Sequence, residues 1–323
     1  MDMLDILRAN LLSPLVLAFV LGIIATLAKS DVEIPEPIIK GIGVYLLFSI
    51  GIRGGVDLAS VRLSEFVLPG LITLGLAVAI PTWCYLTLRW LGRFDVANAA
   101  AIAAHYGSVS SVTFVASISL LEQLKQPYEG FIPTLAALME WGIIVALFIG
   151  RWRLGGGTSL GHVLRDTLTG RSVILLMGGL AIGVIIGEQG YAPIEPVFGD
   201  LFRGLLVIFV LEMGMVAARQ LREFAKVGTF MLAFGTVMPL VNGVVGVTLG
   251  TLAGLSVGGA FALGAIAASA SYIDAPAAVR ATIPQANPSI YLTSSLGITL
   301  PFNLVVGLPL YYEYARWLSA ALP

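Results

Sequence analysis

The chain has 323 residues and a formal net charge of -1; 58% of its residues are hydrophobic, 11% are charged, and mean hydropathy is +0.94. A soluble domain carries about 25% charged residues, so this composition cannot cover a water-facing surface. The balanced charge offers nothing to a nucleic-acid partner or a basic surface-binding helix, which leaves a polytopic helical membrane protein.

The apolar stretches are long enough to cross a hydrocarbon core of roughly 30 Å, which takes about 20 helical residues. Ten transmembrane segments are expected, at 12–29, 37–56, 66–91, 96–122, 129–152, 172–188, 197–217, 226–253, 258–281 and 288–313. The first is a membrane helix rather than a signal peptide, because Asp2 and Asp5 accompany a single Arg8 where a basic n-region would stand.

The fourth segment breaks at a small, hydroxyl-rich patch, Gly107-Ser108-Val109-Ser110-Ser111-Val112-Thr113, just after His105. The fifth carries Glu140 between Leu138-Met139 and Trp141-Gly142. Residues 153–171, with Gly155-Gly156-Gly157, read as a short cytoplasmic linker between halves at 1–152 and 172–323. Glu212 lies in the seventh segment near a helix end. The ninth breaks at Ser269-Ala270-Ser271-Tyr272-Ile273-Asp274-Ala275-Pro276-Ala277, and the tenth contains Asn303. The single cysteine, Cys84, cannot form an intramolecular disulfide.

With the N-terminus outside, twelve basic residues collect at inner ends (Lys29, Lys40, Arg89, Arg93, Arg151, Arg153, Arg165, Arg171, Arg219, Arg222, Lys226, Arg280) and six lie outside (Arg8, Arg53, Arg62, Lys125, Arg203, Arg316). That asymmetry places both termini outside.

Sliding the chain on itself by about 160 residues pairs Gly22 with Gly183, Glu36-Pro37 with Glu195-Pro196, Leu46-Leu47 with Leu205-Leu206, Gly55 with Gly214, and Val109-Ser110-Ser111 with Ile273-Asp274-Ala275. Five segments per half is an odd number, so the second half enters from the opposite side. The expected fold is therefore an all-α membrane protein: ten transmembrane helices as a 5+5 inverted repeat, with segments 4 and 9 discontinuous.

Interrupted hydrophobic segments at matching places in two repeats point to a transporter's binding site. The first N–H groups after each break lack an intrahelical partner and sit at the positive end of the helix dipole, which makes an anion cradle. Ser110 or Ser111 can cap the half-helix in the fourth segment. In the ninth, Asp274 or Ala275 precedes Pro276, which suits a first helical position because it has no N–H to lose. Serine hydroxyls satisfy freed backbone and offer hard oxygen ligands to sodium. Small residues also serve simple close packing of helices, but two such patches at equivalent positions, one with an aspartate, favour a site.

The expected anion-binding set is Ser108, Ser110, Ser111, Val112, Ala275, Pro276 and Ala277, and the ion-binding set is Thr113, Ser269, Ser271, Asp274 and Glu140. Glu140 reads equally as a structural, hydrogen-bonded acid; His105 and Asn303 are secondary. No metal cluster, phosphate loop or nucleophile elbow is present, so neither an enzyme nor an ATP-driven pump is indicated, and an ion gradient would supply the energy.

Leu201-Phe202-Arg203-Gly204-Leu205-Leu206, Met213-Gly214-Met215, Arg280-Ala281, the run Ile283 to Tyr291 with Ser294-Ser295 and Pro301, Tyr128-Glu129 and the serine-rich first break resemble the sodium-dependent bicarbonate transporter family of cyanobacteria, over almost the full length. The resemblance implies a gate and a core domain, sodium-coupled bicarbonate uptake at crossed half-helices in the plasma (inner) membrane, a homotrimer and regulation by a small PII-like protein. No cofactor beyond the coupling sodium is implied. Glu140 stands where the family usually has Asp, Tyr272 where it usually has Asp, Asp274 where it usually has Ser, and Ala275 where it usually has Gly. The central loop is shorter than in cyanobacterial members. An ionised Asp274 repels a neighbouring anion, so either sodium or a proton neutralises it, or the cargo is another small organic anion carried with sodium or protons.

Overall fold

Helix starts follow local chemistry from the first turn of the chain. In the computed structural model, which describes residues 7, 8, 10–155, 169, 171–221, 224–272 and 275–322, the hydroxyl of Ser13 accepts the Val16 N–H at 3.3 Å and opens α1 (Pro14–Leu27). Pro14 stands at the start of that helix, where its fixed φ fits and its missing N–H costs nothing. There follow α2 (Glu36–Ala59), α3 (Leu63–Trp90), α4 (Val96–Tyr106), α5 (Ser111–Gln123), α6 (Ile132–Met139) and α7 (Gly142–Arg153). The second half contributes α8 (Arg171–Tyr191), α9 (Leu201–Leu221), α10 (Phe224–Leu252), α11 (Val257–Ala267) and α12 (Ala275–Thr282). Last come α13 (Pro288–Leu292) and α14 (Leu308–Ala321), joined through wide π-type turns at Thr293–Thr299 and Asn303–Gly307 into one 34-residue rod, Pro288–Ala321.

Among the described residues, eight helices are long and apolar enough to cross a membrane, and Pro14–Leu27 and Val257–Ala267 are shorter apolar helices. The chain is thus an all-helical, multi-pass membrane protein. The fourth and ninth segments are interrupted where expected. Interruptions in the fifth and tenth were not expected from sequence. The tenth also runs past its expected end at 313 to Ala321, since Arg316 pairs with Glu313 at 2.9 Å and its charge stays on the helix surface.

The helices sort into two bodies. In one, α2 lies along α8 and α1 along α9. Glycines let these backbones touch. A Cβ on Gly55 would stand 2.9 Å from the Gly183 Cα and would strike the Leu180 carbonyl; one on Gly22 would stand 3.1 Å from the Gly214 Cα. In the other body α4, α5, α7 and α3 gather against α10, α11 and the last rod, around a core rich in alanine. The α6 helix and the turn Thr293–Thr299 bridge the two bodies through contacts with α2 and α9.

Candidate functional site

The first break is built by Gly107 to Ser110. The Gly107 N–H still closes α4 on the Ala103 carbonyl at 2.9 Å; then Ser110 turns extended (φ -83, ψ 111) and caps α5, its hydroxyl accepting the Thr113 N–H at 3.3 Å. Its carbonyl accepts the Phe114 N–H at 2.9 Å. Among the described residues nothing accepts the N–H of Ser111 or Val112, so two donors remain at the positive end of a 13-residue helix. In the second break the chain leaves α11 after Ala267 and resumes helix at Ala275. Ile273 and Asp274 lie outside the described residues, so the ion role expected of Asp274 gains no geometry.

The breaks cross in direct contact. The Ser271 N–H donates to the carbonyls of His105 (2.8 Å) and Ser108 (3.1 Å), and the Ser110 N–H donates to Ser269 Oγ at 3.0 Å. Ser269 in turn donates its hydroxyl to the Ile266 carbonyl at 2.8 Å. The His105 ring closes the knot, with Nδ1 2.5 Å from the Ser271 carbonyl, which makes Nδ1 the protonated nitrogen. Asn303 holds the end of α11, donating to the Ala268 carbonyl at 2.8 Å while Tyr311 donates to its Oδ1 at 3.1 Å. Non-helical backbone at this depth is tolerated because side chains and the opposite break take up its freed groups.

A third interruption meets the first two. The fifth segment breaks between Met139 and Gly142, and Glu140, buried at 5% exposure, accepts the Ser108 hydroxyl. Gly142 packs so tightly on the first break that an added Cβ there would strike the Gly107 carbonyl, and one on Gly107 would stand 2.8 Å from the Gly142 oxygen. Among the described residues, Thr113 Oγ1 and His105 Nε2 at the crossing are buried without a hydrogen-bond partner, and Tyr272 OH has Ser110 beside it without a hydrogen bond of good geometry. Such groups cost free energy unless something else fills them.

Two cavities approach this crossing. A small one of about 10 Å³ is lined by Ser111, Glu140, Val109, Ala136 and Phe114, with Leu47, Ile50 and Leu176 from the other body. That is room for about one water. A mouth of about 300 Å³ opens between the bodies, bordered by Arg53, Asp57, Glu122, Tyr128, Tyr191 and Arg203. Ile50 and Phe114 line both, and so form the wall between them. Arg53 pairs with Asp57 at 3.2 Å within α2, whereas Arg203 of α9 reaches Glu122 of α5 at 3.1 Å and bridges the bodies.

The structure therefore brings together Ser108, Ser110, Ser111, Val112, Thr113, Ser269, Ser271 and Glu140. The hydroxyls of Ser108 and Ser110, expected to face an anion, are instead spent on Glu140 and on the Thr113 N–H. Ala275 and Pro276 are buried in the first turn of α12, and Ala277 is exposed. Glu212 stays outside the site; it lies not near a helix end, as expected, but buried midway along α9, 3.7 Å from Arg219 in that helix's last turn. His105 and Asn303 carry more of the crossing than their secondary rank suggested. The signal for both was a polar side chain inside an apolar segment.

The family model described as the Na+-dependent bicarbonate transporter superfamily matches residues 14–316. No curated protein matches the chain.

Proposed function

Because this chain belongs to the Na+-dependent bicarbonate transporter superfamily, and so is a transporter and not an enzyme, we propose that it is a secondary active carrier that takes up bicarbonate with sodium. The observation that carries the reading is the pair of N–H groups at Ser111 and Val112, which nothing among the described residues accepts, at the start of a half-helix where two broken helices cross. Preorganised donors at a helix start hold an anion without reorganising. In this reading the first turns of α5 and α12 hold bicarbonate, with Ser108, Ser110, Ala275, Pro276 and Ala277 around it. Sodium takes oxygens from Thr113, Ser269, Ser271, Asp274 and Glu140, and the unpartnered Thr113 hydroxyl supports that assignment.

An inverted repeat of ten crossings, 1–152 and 172–323 about the linker 153–171, accounts for several pairings at once. Val96–Tyr106 and Val257–Ala267 are both 11 residues long and both follow a side-chain cap, Asp95 or Ser256. Arg93 and Gly254, just past α3 and α10, both take left-handed backbone, with φ 54 and 84. A twofold that carries Gly22 to Gly183 and Gly214 to Gly55 turns one glycine contact into the other. The same reading makes α1, α2, α8 and α9 the gate, and places both termini outside the inner membrane.

The test is labelled bicarbonate uptake into proteoliposomes with inward sodium, inward proton, or no gradient. Uptake driven by sodium is expected. Uptake driven by protons alone would replace sodium by a proton on Glu140 or Asp274, and no gradient-dependent uptake would overturn the function.

A further inference from the structure

The two half-helices that lead into the crossing are smooth. In α11 no side chain is polar, and every residue from Gly258 to Ala267 is buried. In α4, Asn98 near the start and His105 and Tyr106 at the end flank a run of alanine and isoleucine. Small apolar residues let helices lie close but hold them weakly in register, since a helix that slides or turns presents much the same surface. Polar contacts are what fix register. Among the described residues, the polar ties of α11 lie at its ends: Ser269, Ser271 and Asn303 at the crossing, and Ser256 at the far end, about 16 Å along the helix.

That far end is seated on Glu129, in the elbow before α6. Oε1 of the carboxylate accepts the Ser256 N–H at 2.6 Å and Oε2 accepts the Ser256 hydroxyl at 3.2 Å, while the same hydroxyl accepts the Gly259 N–H at 3.1 Å and opens the helix. The seat is shaped for its occupant. A Cβ on Gly259 would strike Oε2 of Glu129, and one on Gly258 would strike the Pro127 carbonyl. The start of α4 carries a matching device: Asn98 accepts the Asn287 N–H at 2.8 Å and donates to the capping Asp95 at 2.6 Å. Under the inverted repeat proposed above, α4 and α11 correspond, and so do the segments that Asn287 and Glu129 precede.

We infer that Glu129 is a positioning residue of the transport site: it fixes the depth of α11 and thereby places Ser269 and Ser271 at the crossing. The inference rests on the transport reading above and adds to it a residue remote from the ligands. In that reading Ser269 and Ser271 serve sodium, whereas the anion lies at the starts of α5 and α12. A slipped α11 therefore weakens sodium binding first and bicarbonate binding second. A carboxylate at a helix start also stabilises the helix through its dipole. A role confined to that would lower the yield of folded protein and leave the affinities of the folded fraction unchanged.

The experiment measures sodium-driven bicarbonate uptake in proteoliposomes of the full-length chain, per folded protein, as sodium and bicarbonate are varied in turn. Glu129→Ala should raise the sodium concentration for half-maximal uptake about tenfold or more, and leave the bicarbonate KM at saturating sodium within about threefold of wild type. Glu129→Gln keeps an oxygen for the Ser256 N–H and should stay within about threefold of wild type on both constants. Gly259→Ala pushes the carboxylate off its seat and should reproduce the sodium shift. The two substitutions together should be no worse than Glu129→Ala alone, because they break one contact. An unmoved sodium constant in Glu129→Ala overturns the inference, as do equal shifts in both constants or a Gln variant shifted as far as the Ala variant. Should Glu129→Ala not fold, Gly259→Ala and Glu129→Gln decide by the same constants. Wild type without sodium-driven uptake removes the transport reading and the inference with it, whereas wild-type uptake with an unmoved sodium constant in the variants overturns the inference alone.

Discussion

The body of α1, α2, α8 and α9 and the crossing solve opposite problems with residues of similar size. Between α1 and α9, and between α2 and α8, glycine removes the side chain so that backbone meets backbone, and few polar groups cross, Thr26 to the Met215 carbonyl at 3.4 Å and Arg53 to Glu188 at 4.0 Å among them. At the crossing, serine, histidine and asparagine add polar atoms because three helices have given up part of their own hydrogen bonding. In a solvent without water, close packing makes a rigid wall and opened backbone makes a site. The contrast teaches that a small residue in a membrane helix means different things according to whether the helix continues through it.

The sharpest way to break the comparison is to put bulk into the wall. Gly55→Leu forces a side chain into the Gly183 backbone and the Leu180 carbonyl, and should prevent recovery of folded protein, a loss of more than about 4 kcal/mol. Gly41→Ala, on the same helix with nothing within 4 Å of the new Cβ, should be neutral or slightly stabilising by thermal unfolding in detergent. Equal behaviour of the two would mean that close backbone contact at Gly55 contributes nothing particular to the fold.

Next in size is the wall between the cavities. Phe114→Ala removes most of a side chain that is 3% exposed, at a cost of about 3 kcal/mol, and joins the mouth to the crossing. In a Cys84→Ala background, Ser111→Cys should then react with a membrane-impermeant thiol reagent at least about tenfold faster than with Phe114 present, on the expectation that a full aromatic ring blocks water there.

Ser269→Ala tests the knot. It leaves the Ser110 N–H without its acceptor, which should cost about 1–2 kcal/mol while uptake falls far more, because the half-helix start is displaced. Stability and uptake falling in proportion would make the crossing a packing device and nothing else.

The smallest effect sits at the first turn of α4. Partial burial works against the charge of Asp95, but the backbone and side-chain N–H groups of Asn98 outweigh it and hold the carboxyl below its ordinary 3.8. A depressed value stabilises the fold at pH above the ordinary one and loses that stabilisation as pH falls through the folded one. Asp95→Ala should therefore cost about 1 kcal/mol at neutral pH, and the difference from wild type should shrink below pH 3.8 in thermal unfolding.

Much of this arrangement is legible in the sequence, and the illegible parts share a cause. The serine-rich runs mark both crossing breaks because serine competes for backbone groups wherever a helix falters. Glu140 could be flagged as a carboxylate in an apolar helix, but the helix break beside it comes from the first break pressing on Gly142, a contact between residues 107 and 142 that no local pattern encodes. Asn303 reaches a carbonyl 35 residues away, and His105 joins a carbonyl 166 residues away. Both are products of the crossing itself. Residue type marks the hydroxyls of Ser108 and Ser110 as possible ligands, whereas their bonds to Glu140 and the Thr113 N–H depend on which way the break turns.

The wall formed by Ile50 and Phe114 also bears on leakage. A continuous file of water through a membrane transporter would conduct ions and discharge any gradient across the membrane. With about 10 Å³ at the crossing and two apolar side chains between it and the mouth, the described residues leave no room for such a file along this route.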